Sequence, residues 1–542
     1  MPTTLAHMLD IAHIDPDKLD QLGVDQLREL VGQLLERSGR DAHEIGWRDA
    51  KIDKLTFEIA QLKRLQYSAK SEQLSAEQRA LFDEAVDGDI AAIEEQLAAL
   101  QATLPPKTED AEKQTPKRGV LPARLPRVDR HHEPENTTCN CGCQMSRIGE
   151  DVSEKLDYTP GVFTVERHVR GKWACAQCRT LVQAPVPATV IDKGIPTAGL
   201  LAQVLVAKHA DHLPLYRQEA IFGRAGLAIP RSTLAAWVGQ CGARLQPLAD
   251  AMKAQLLRCQ VLHADETPVA MLAPGRGKTH RAYLWAYTAA VSESLKAVVY
   301  DFTEGRSGEN ARAFLGHEPT KRERDQVPWT GSLVCDDFSG YKALFALGVS
   351  EVGCMAHARR KFVELHVANK STLAQTAIEL IGQLYGVERD IRVKDAEHRL
   401  RQRQSRAAPI AQALHDWLVA QRVKVPHGTA TAKAIDYSLN RWAALTRYLD
   451  DPRLPIDNNH DEQQIRPWAT GRKNWLFAGT LAAGQRAAAI TSLIQSAKLN
   501  GHDPYTYLKD VLERLPTQRA SEIDALLPHR WAPANRVVEL PL

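Results

Sequence analysis

The part of the chain that most constrains its fold is a run of apolar and β-branched segments between residues 260 and 336. Their lengths and spacing predict three strands, a helix and a fourth strand, at residues 261–265, 282–288, 295–302, 308–315 and 332–335. In a sheet with this order of elements, the first and fourth strands lie side by side. The first strand ends at Asp265 and the fourth leads into Asp336, so we expect these two carboxylates to be neighbours.

This order of elements is that of a ribonuclease-H-like α/β sheet, and the paired aspartates suggest what the sheet could hold. Hard divalent ions such as Mg²⁺ prefer carboxylate oxygens, and two ions need acids that they share. A third acid must come from later in the chain, and Glu462 is the candidate. Asn458 or Asn459 could cap a helix that places Glu462 and Arg466 one turn apart on one face. Taken alone, this stretch fits the start of a surface helix equally well.

The interval between Asp336 and Glu462 is too long for a single connection between a strand and a helix. Apolar residues recur through most of it with helical spacing. We therefore predict an all-helical insertion at about residues 363–452. The insertion interrupts a catalytic domain of residues 256–515, which is followed by a C-terminal tail at 516–542.

The length of 542 residues exceeds what one hydrophobic core usually organises, so we expect several domains. The first, residues 1–100, has a helix-forming composition. Within it, isoleucine recurs every seven residues and leucine forms a second seam, at Ile45, Ile52, Leu55, Ile59 and Leu62. This pattern predicts a short coiled coil that pairs subunits, with an intramolecular helical hairpin as the alternative.

Five of the nine cysteines crowd the stretch 136–190, which follows a basic, proline-rich linker at 101–135. They are Cys139, Cys141, Cys143, Cys175 and Cys178. Two groups of thiols about 35 residues apart match a zinc ribbon with four ligands. Cys175 and Cys178 have standard spacing, whereas the first group offers three thiols where two are needed. We take Cys139 and Cys143 as its ligands, with Cys141 as the alternative, and a small apolar core with unpaired thiols remains open.

Residues 191–255 have a helical composition and contain a pattern typical of a helix-turn-helix. A helix over 218–224 meets a turn at Gly226, and Pro230 with Ser232 begins a second helix that is expected to end near Trp237. The second helix of such a motif commonly enters the major groove of DNA. Two packed helices joined at a glycine give the same pattern, so recognition of DNA and simple packing are both open.

Five short segments carry a more specific combination. They read HADETP at 263–268, DDFSGY at 336–341, CMAHARRKF at 354–362, GRKNWLFAG at 471–479 and AKLNG at 497–501. Together they resemble the transposase of insertion-sequence family 66. The resemblance runs in order from the helical N-terminus through the cysteine-rich stretch to about Leu515, so the chain is identified as a member of that family.

The resemblance implies a DNA transposase with an aspartate–aspartate–glutamate triad, which falls on Asp265, Asp336 and Glu462. It also implies a leucine-zipper-like segment, a zinc module and a helix-turn-helix. Such an enzyme cleaves and joins the ends of an insertion sequence with two ions, Mg²⁺ or Mn²⁺. Two departures are that Asp337 stands where members usually have glycine and that the spacing from Cys139 to Cys143 differs from the common pattern.

The expected partners are inverted-repeat DNA ends, target DNA and further copies of the chain, and accessory proteins encoded by the same element are a further expectation. The alternatives are a non-catalytic DNA-binding protein and a ribonuclease-H-like nuclease or resolvase. The net charge of +3 gives no global signal for DNA, so contacts must be local. The candidates are Arg231, Arg359, Arg360, Lys361, Arg466, Arg472, Lys473 and Trp475. For the basic residues a solvated helix start is the alternative, and for Trp475 it is packing.

The N-terminal residues lack the pattern of a signal peptide, and no apolar run is long enough to span a bilayer. We therefore expect a cytoplasmic protein with no membrane partner.

Overall fold

The computed structural model describes residues 24–68, 76–101, 121, 123, 125–159, 161–192, 194–273, 279–318 and 327–533. The described residues divide into two compact units. Those up to 67 together with 93–101 form one unit, and those within 68–92 and from 121 onward form the other. Within these ranges, no helix combines the length and apolar character that crossing a membrane requires.

The first unit consists of helix α1, Val24–Ser68, and the end of helix α2, Ala76–Gln101. The predicted helical N-terminal region is therefore confirmed for its described residues, and residues 1–23 lie outside them. Within the heptad seam Leu55 is buried, whereas Ile45 is 50% exposed. Phe57, on the same helix, is 60% exposed. Apolar side chains therefore remain exposed on α1, and the pairing of subunits through this helix stays a prediction.

A small mixed sheet carries the cysteine-rich stretch. Its strands are β1, Arg127–His132; β2, Ser146–Thr159; β3, Val162–Ala174; and β4, Leu181–Gln183. The order is β1-β3-β2, with β4 also paired to β3, and β1 runs parallel to β3. We expected residues 101–135 to be an extended linker, which is wrong for 127–132. They form a strand because their backbone groups pair with β3.

Three helices lead from this sheet to the main one: α3, Ala198–His209; α4, Leu215–Arg224; and α5, Arg231–Leu256. The turn after α4 is at Gly226, whose positive φ of 81° suits glycine. The expectation that the second helix ends near Trp237 is wrong. Helix α5 continues to Leu256 because buried residues such as Leu245 and Met252 keep extending one apolar face.

The main sheet has five strands in the order β7-β6-β5-β8-β9. They are β5, Val261–Met271; β6, His280–Ala289; β7, Val298–Thr303; β8, Ser332–Cys335; and β9, Ser350–Gly353, with helix α6, Gly308–Phe314, between β7 and β8. β5 pairs antiparallel with β6 and parallel with β8. The prediction that the first and fourth strands of this region are neighbours is confirmed.

Residues 354–458, all of which are described, contain helices and no strand, so the predicted helical insertion is confirmed. After a short helix α7, Lys342–Ala346, the helices are α8, Met355–Asn369; α9, Thr372–Ile391; α10, Ala396–Gln402, continued by a π-turn; α11, Ala408–Arg422; α12, Ala430–Asn440; and α13, Trp442–Thr446. They share an apolar core with one face of the main sheet, to which Val261, Val334 and Val352 contribute.

Three helices complete the second unit: α14, Asn459–Trp475; α15, Leu481–Leu499; and α16, Pro504–Arg514. The apolar residues of α15 lie against β7 and α5, so the sheet and the preceding helices share one core. We expected a tail from residue 516, but Leu526, Leu527 and Trp531 are buried in that core. Burial of these three side chains accounts for the ordered path of the segment.

Candidate functional site

The predicted acids Asp265 and Asp336 meet where two parallel strands run side by side. β5 and β8 pair with His263 opposite Val334. The same register, extended by two residues, places Asp336 opposite Asp265. Side chains two residues apart in a strand share a face, so both carboxylates emerge on the same side of the sheet.

The charges of the other two predicted acids act on Asp265. Burial, together with the negative charges of Glu266, Asp336 and Glu462, raises the pKa of Asp265 to about 8. The backbone N–H of Glu266 donates a hydrogen bond of 2.8 Å to its Oδ1 but offsets only part of this effect. A cluster of carboxylates whose charges oppose each other is a donor set that fits a divalent ion, because the ion would relieve the repulsion.

The two adjacent aspartates after β8 point to different partners. Asp336 accepts a hydrogen bond of 2.8 Å from the backbone N–H of Phe338 and faces the cluster. Asp337 instead forms ion pairs with Lys342 at 2.9 Å and with the buried Arg441 at 3.3 Å. The carboxylate of Asp337 is therefore occupied away from Asp265.

Helix α14 carries Glu462, and Asn458 fixes the start of that helix against β5. The fully buried Asn458 side chain bonds His263 Nδ1 at 2.7 Å and donates to the carbonyl of Ala264 at 3.0 Å. Its backbone N–H donates to Cys354 Sγ at 3.2 Å. Asn458 is the cap residue by position, but its side chain does not cap the helix. We expected the side chain of Asn458 or Asn459 to cap the helix. The sequence did not predict that Asn458 instead bonds residues of β5.

Two further buried acids lie beside the predicted ones. Glu266 accepts from Arg306 Nε at 2.7 Å and from the Tyr341 hydroxyl at 2.8 Å. Asp461 accepts a hydrogen bond from Thr288, and its Oδ2 has no partner among the described residues. Sequence reasoning passed over both acids. The signal was present, since each forms an acidic doublet with a predicted acid, at 265–266 and 461–462.

An open cleft of about 590 Å³ adjoins the acids and has basic side chains in its wall. Its lining includes Asp336, Arg306, Arg360 and Lys361. Arg360 lies 3.4 Å from Glu462 Oε2, and Lys361 sits over the ring of Tyr437. The cleft therefore combines carboxylates that suit metal ions with cations that suit phosphate groups.

The remaining residues that were predicted to contact DNA differ in how exposed they are. Arg466 and Lys473 are exposed on α14, whereas Arg359 and Arg231 are partly buried. Two expectations need correction. Arg472 is turned inward and donates to Thr267 Oγ1 at 3.1 Å and to the carbonyl of Pro268 at 2.7 Å. Trp475 packs edge-on against Trp468 with ring centroids 5.8 Å apart. Arg472 thereby joins α14 to β5, and Trp475 packs against the apolar cluster that α14 shares with the sheet.

Four sulfurs of the small sheet lie close enough to share one ion. Cys139, Cys141, Cys175 and Cys178 have Sγ atoms within 4.8 Å of one another. Those of Cys141 and Cys175 are 3.7 Å apart. In a tetrahedron with zinc–sulfur bonds of about 2.3 Å, sulfurs are about 3.8 Å apart. Hydrogen bonds from Cys139 and Thr180 lower the pKa of Cys178 to about 6. A backbone hydrogen bond lowers the pKa of Cys139, but contacts with the neighbouring thiols raise it to about 11, so Cys178 forms the thiolate that zinc requires more readily than Cys139 does.

The first-choice ligand Cys143 lies outside this group, and Cys141 takes its place. The backbone turns at Gly142, which has a φ of 85° and donates its N–H to the carbonyl of Cys139 at 2.8 Å. Cys143 closes the turn through its carbonyl, which accepts from the N–H of Cys139 at 2.8 Å. This tight turn directs Cys139 and Cys141 toward the second pair of thiols.

Comparison with known families matches four segments of the chain. The family described as "Transposase IS66 family" matches residues 193–486, and the "IS66 C-terminal element" matches 492–529. The "zinc-finger binding domain of transposase IS66" matches residues 136–179, which include the cysteine cluster. The family described as "Transposase C of IS166 homeodomain" matches residues 54–130.

Among curated proteins, the chain is similar to several from Sinorhizobium fredii (strain NBRC 101917 / NGR234). It is 37% identical over 497 residues to one named "Uncharacterized protein y4qI", covering 89% of this chain and 90% of the relative. It is 36% identical over 499 residues to "Uncharacterized protein y4jD", covering 88% of this chain and 94% of the relative. The similarity therefore extends over nearly the whole length of these proteins.

Proposed function

The chain belongs to the IS66 family of transposases, and from that premise we propose that it cleaves and joins DNA strands at Asp265, Asp336 and Glu462. The observation that carries the proposal is that the charges of Asp336 and Glu462 both act on Asp265 beside a cleft with basic walls. The substrates we propose are the inverted-repeat ends of an insertion sequence and a target DNA.

We take the main sheet to be ribonuclease-H-like. Its order β7-β6-β5-β8-β9 and its antiparallel first three strands support this assignment, as does the parallel pairing of β5 with β8. We assign residues 256–515 to the catalytic domain and 136–190 to a zinc-binding module held by Cys139, Cys141, Cys175 and Cys178. The zinc would be structural, because four thiolates leave no open position.

The roles of the residues follow from their positions. Asp265 and Asp336 would hold Mg²⁺ or Mn²⁺ between them, and Glu462 would complete the coordination. When bound, two such ions activate an attacking oxygen and stabilise the departing one. Asn458 keeps Glu462 in register with β5, while Arg306 and Arg360 are placed to bind phosphates of the DNA backbone.

We further propose that the active form contains more than one copy of the chain, because two DNA ends must be brought together. The exposed apolar side chains of Ile45 and Phe57 on α1 support pairing through that helix. Recognition of DNA by α4 and α5, and assistance by proteins encoded by the same element, are also part of this proposal.

A strand-nicking assay on labelled transposon ends tests the proposal. Glu462→Gln removes a hard anionic ligand, and we expect more than about a 100-fold loss of Mg²⁺-dependent cleavage, since even residues behind metal ligands matter 10–100-fold. Glu364→Gln is the matched control because Glu364 lines the same cleft and is exposed. Equal cleavage by wild type and Glu462→Gln would refute the assignment.

A further inference from the structure

A second cluster of metal-ligand types lies next to the proposed active site. Cys354, His357 and Glu462 present a sulfur, a ring nitrogen and a carboxylate oxygen within 4.8 Å of one another. We propose that these three residues bind a thiophilic divalent cation of the Zn²⁺ type. Binding there would occupy Glu462 and inhibit the enzyme. The inhibition rests on the proposed function, whereas the binding of the cation does not.

The cluster is built where two helices begin. Cys354 precedes the first residue of α8, and His357 follows three residues later, so both lie on one turn. Helix α14 brings Glu462 to them from the other side. The hydrogen bond from the N–H of Asn458 to Cys354 Sγ, 3.2 Å long, fixes the two helix starts relative to each other. The ligands are therefore held by rigid elements.

Two unpaired atoms point into this cluster. His357 Nδ1 and Glu462 Oε1 are both buried, and neither has a hydrogen-bond partner among the described residues. They are 3.7 Å apart, too far for a hydrogen bond. Two ligands that each bind zinc at about 2.1 Å in a tetrahedron are about 3.4 Å apart. Since leaving buried polar atoms unpaired costs free energy, and their separation suits two ligands of one ion, the pair of atoms fits a cation.

The types of ligand select the class of cation. Mg²⁺ takes oxygen ligands, whereas a thiolate and an imidazole favour zinc and similar ions. Three protein ligands with an open fourth position filled by water form a common zinc arrangement. The other oxygen of Glu462, Oε2, lies 3.4 Å from Arg360, so Oε1 is the one free to bind. On binding, the Cys354 thiol would release its proton to solvent.

Equilibrium dialysis of the full chain against Zn²⁺, followed by metal analysis, tests the binding. We expect Cys354→Ser and His357→Asn each to bind one zinc fewer per chain than wild type. Cys259→Ser is the matched control, since Cys259 is likewise buried and lies outside both clusters, and it should bind as wild type does. His357 is partly exposed, so its replacement tests the site without opening the core. Unchanged stoichiometry in both variants would overturn the proposal.

Inhibition is measured separately by adding Zn²⁺ to cleavage reactions in Mg²⁺. We expect Cys354→Ser to raise the Zn²⁺ concentration for half-inhibition at least about 10-fold. Loss of one zinc in Cys354→Ser, with no cleavage by any form of the protein, would support the cation site while refuting the proposed function. Cleavage by wild type, with the zinc stoichiometry unchanged in both variants, would support the proposed function while refuting the cation site.

Discussion

At the scale of single residues, the carboxylates of the site repel one another, and a bound metal ion would offset this repulsion. Asp265 has a pKa of about 8 in the fold, against an ordinary value near 3.8. Between these pH values, the Asp265 carboxyl has released its proton in the unfolded chain but keeps it in the folded protein. The metal-free fold therefore loses stability as the pH rises from about 4 to about 8.

Asp265→Asn removes this titration, so we expect the variant to be more stable than wild type in EDTA at pH 8. The gain should be on the order of 1 kcal/mol or more, and it should shrink toward pH 5. Thermal unfolding at both pH values measures it. Added Mg²⁺ should raise the Tm of wild type and leave that of Asp265→Asn unchanged. A variant that is less stable than wild type at pH 8 would contradict this account of the site.

At the scale of elements, the site depends on how α14 is attached to β5. Asn458 joins them through His263 and the carbonyl of Ala264, and all of these groups are buried. The positions of the first four strands and of the helical segment could be predicted because apolar periodicity is local. This attachment could not, because it joins residues nearly 200 positions apart in the chain. The end of α5 was missed for a similar reason, since its length is set by packing against α15.

Asn458→Ala removes the attachment and leaves buried polar groups on β5 without partners. We expect a loss of about 2–4 kcal/mol in the free energy of unfolding, measured by urea denaturation. DNA cleavage should fall while binding of transposon ends, measured by gel shift, persists. Asn459→Ala is the control, because the Asn459 side chain bonds only Asp457 at the surface. Equal stability of the two variants would show that the attachment is unimportant.

The cysteine-rich sheet shows how a single turn decides which thiols come together. Spacing alone left Cys141 and Cys143 as alternatives, and the choice depends on the positive φ of Gly142. We expect Cys141→Ser to bind one zinc fewer per chain than wild type and to unfold at a lower temperature. Cys143→Ser should match wild type in zinc content. Metal analysis of the purified variants measures this. Loss of zinc in Cys143→Ser and not in Cys141→Ser would instead favour Cys143 as the ligand.

At the scale of the whole molecule, the second unit joins three features that the sequence shows separately. The cysteine-rich sheet of β1–β4, helices α3–α5 and the main sheet contribute to one continuous core. Residues of α2 also belong to this unit, with Glu84 paired to Lys208 and Asp89 paired to Arg486. Composition predicted the helix α2, but its attachment to this unit depends on partners more than 100 residues away.

The central claim is that Asp265, Asp336 and Glu462 carry Mg²⁺-dependent cleavage and joining of DNA. The most direct measurement incubates labelled inverted-repeat ends with target plasmid and Mg²⁺, and follows both nicked and joined products. Wild type and Asp337→Asn should yield both, because Asp337 faces Lys342 and Arg441. Asp336→Asn should yield neither while still binding the ends. Products from Asp336→Asn at the wild-type level, or their loss only in Asp337→Asn, would contradict the account.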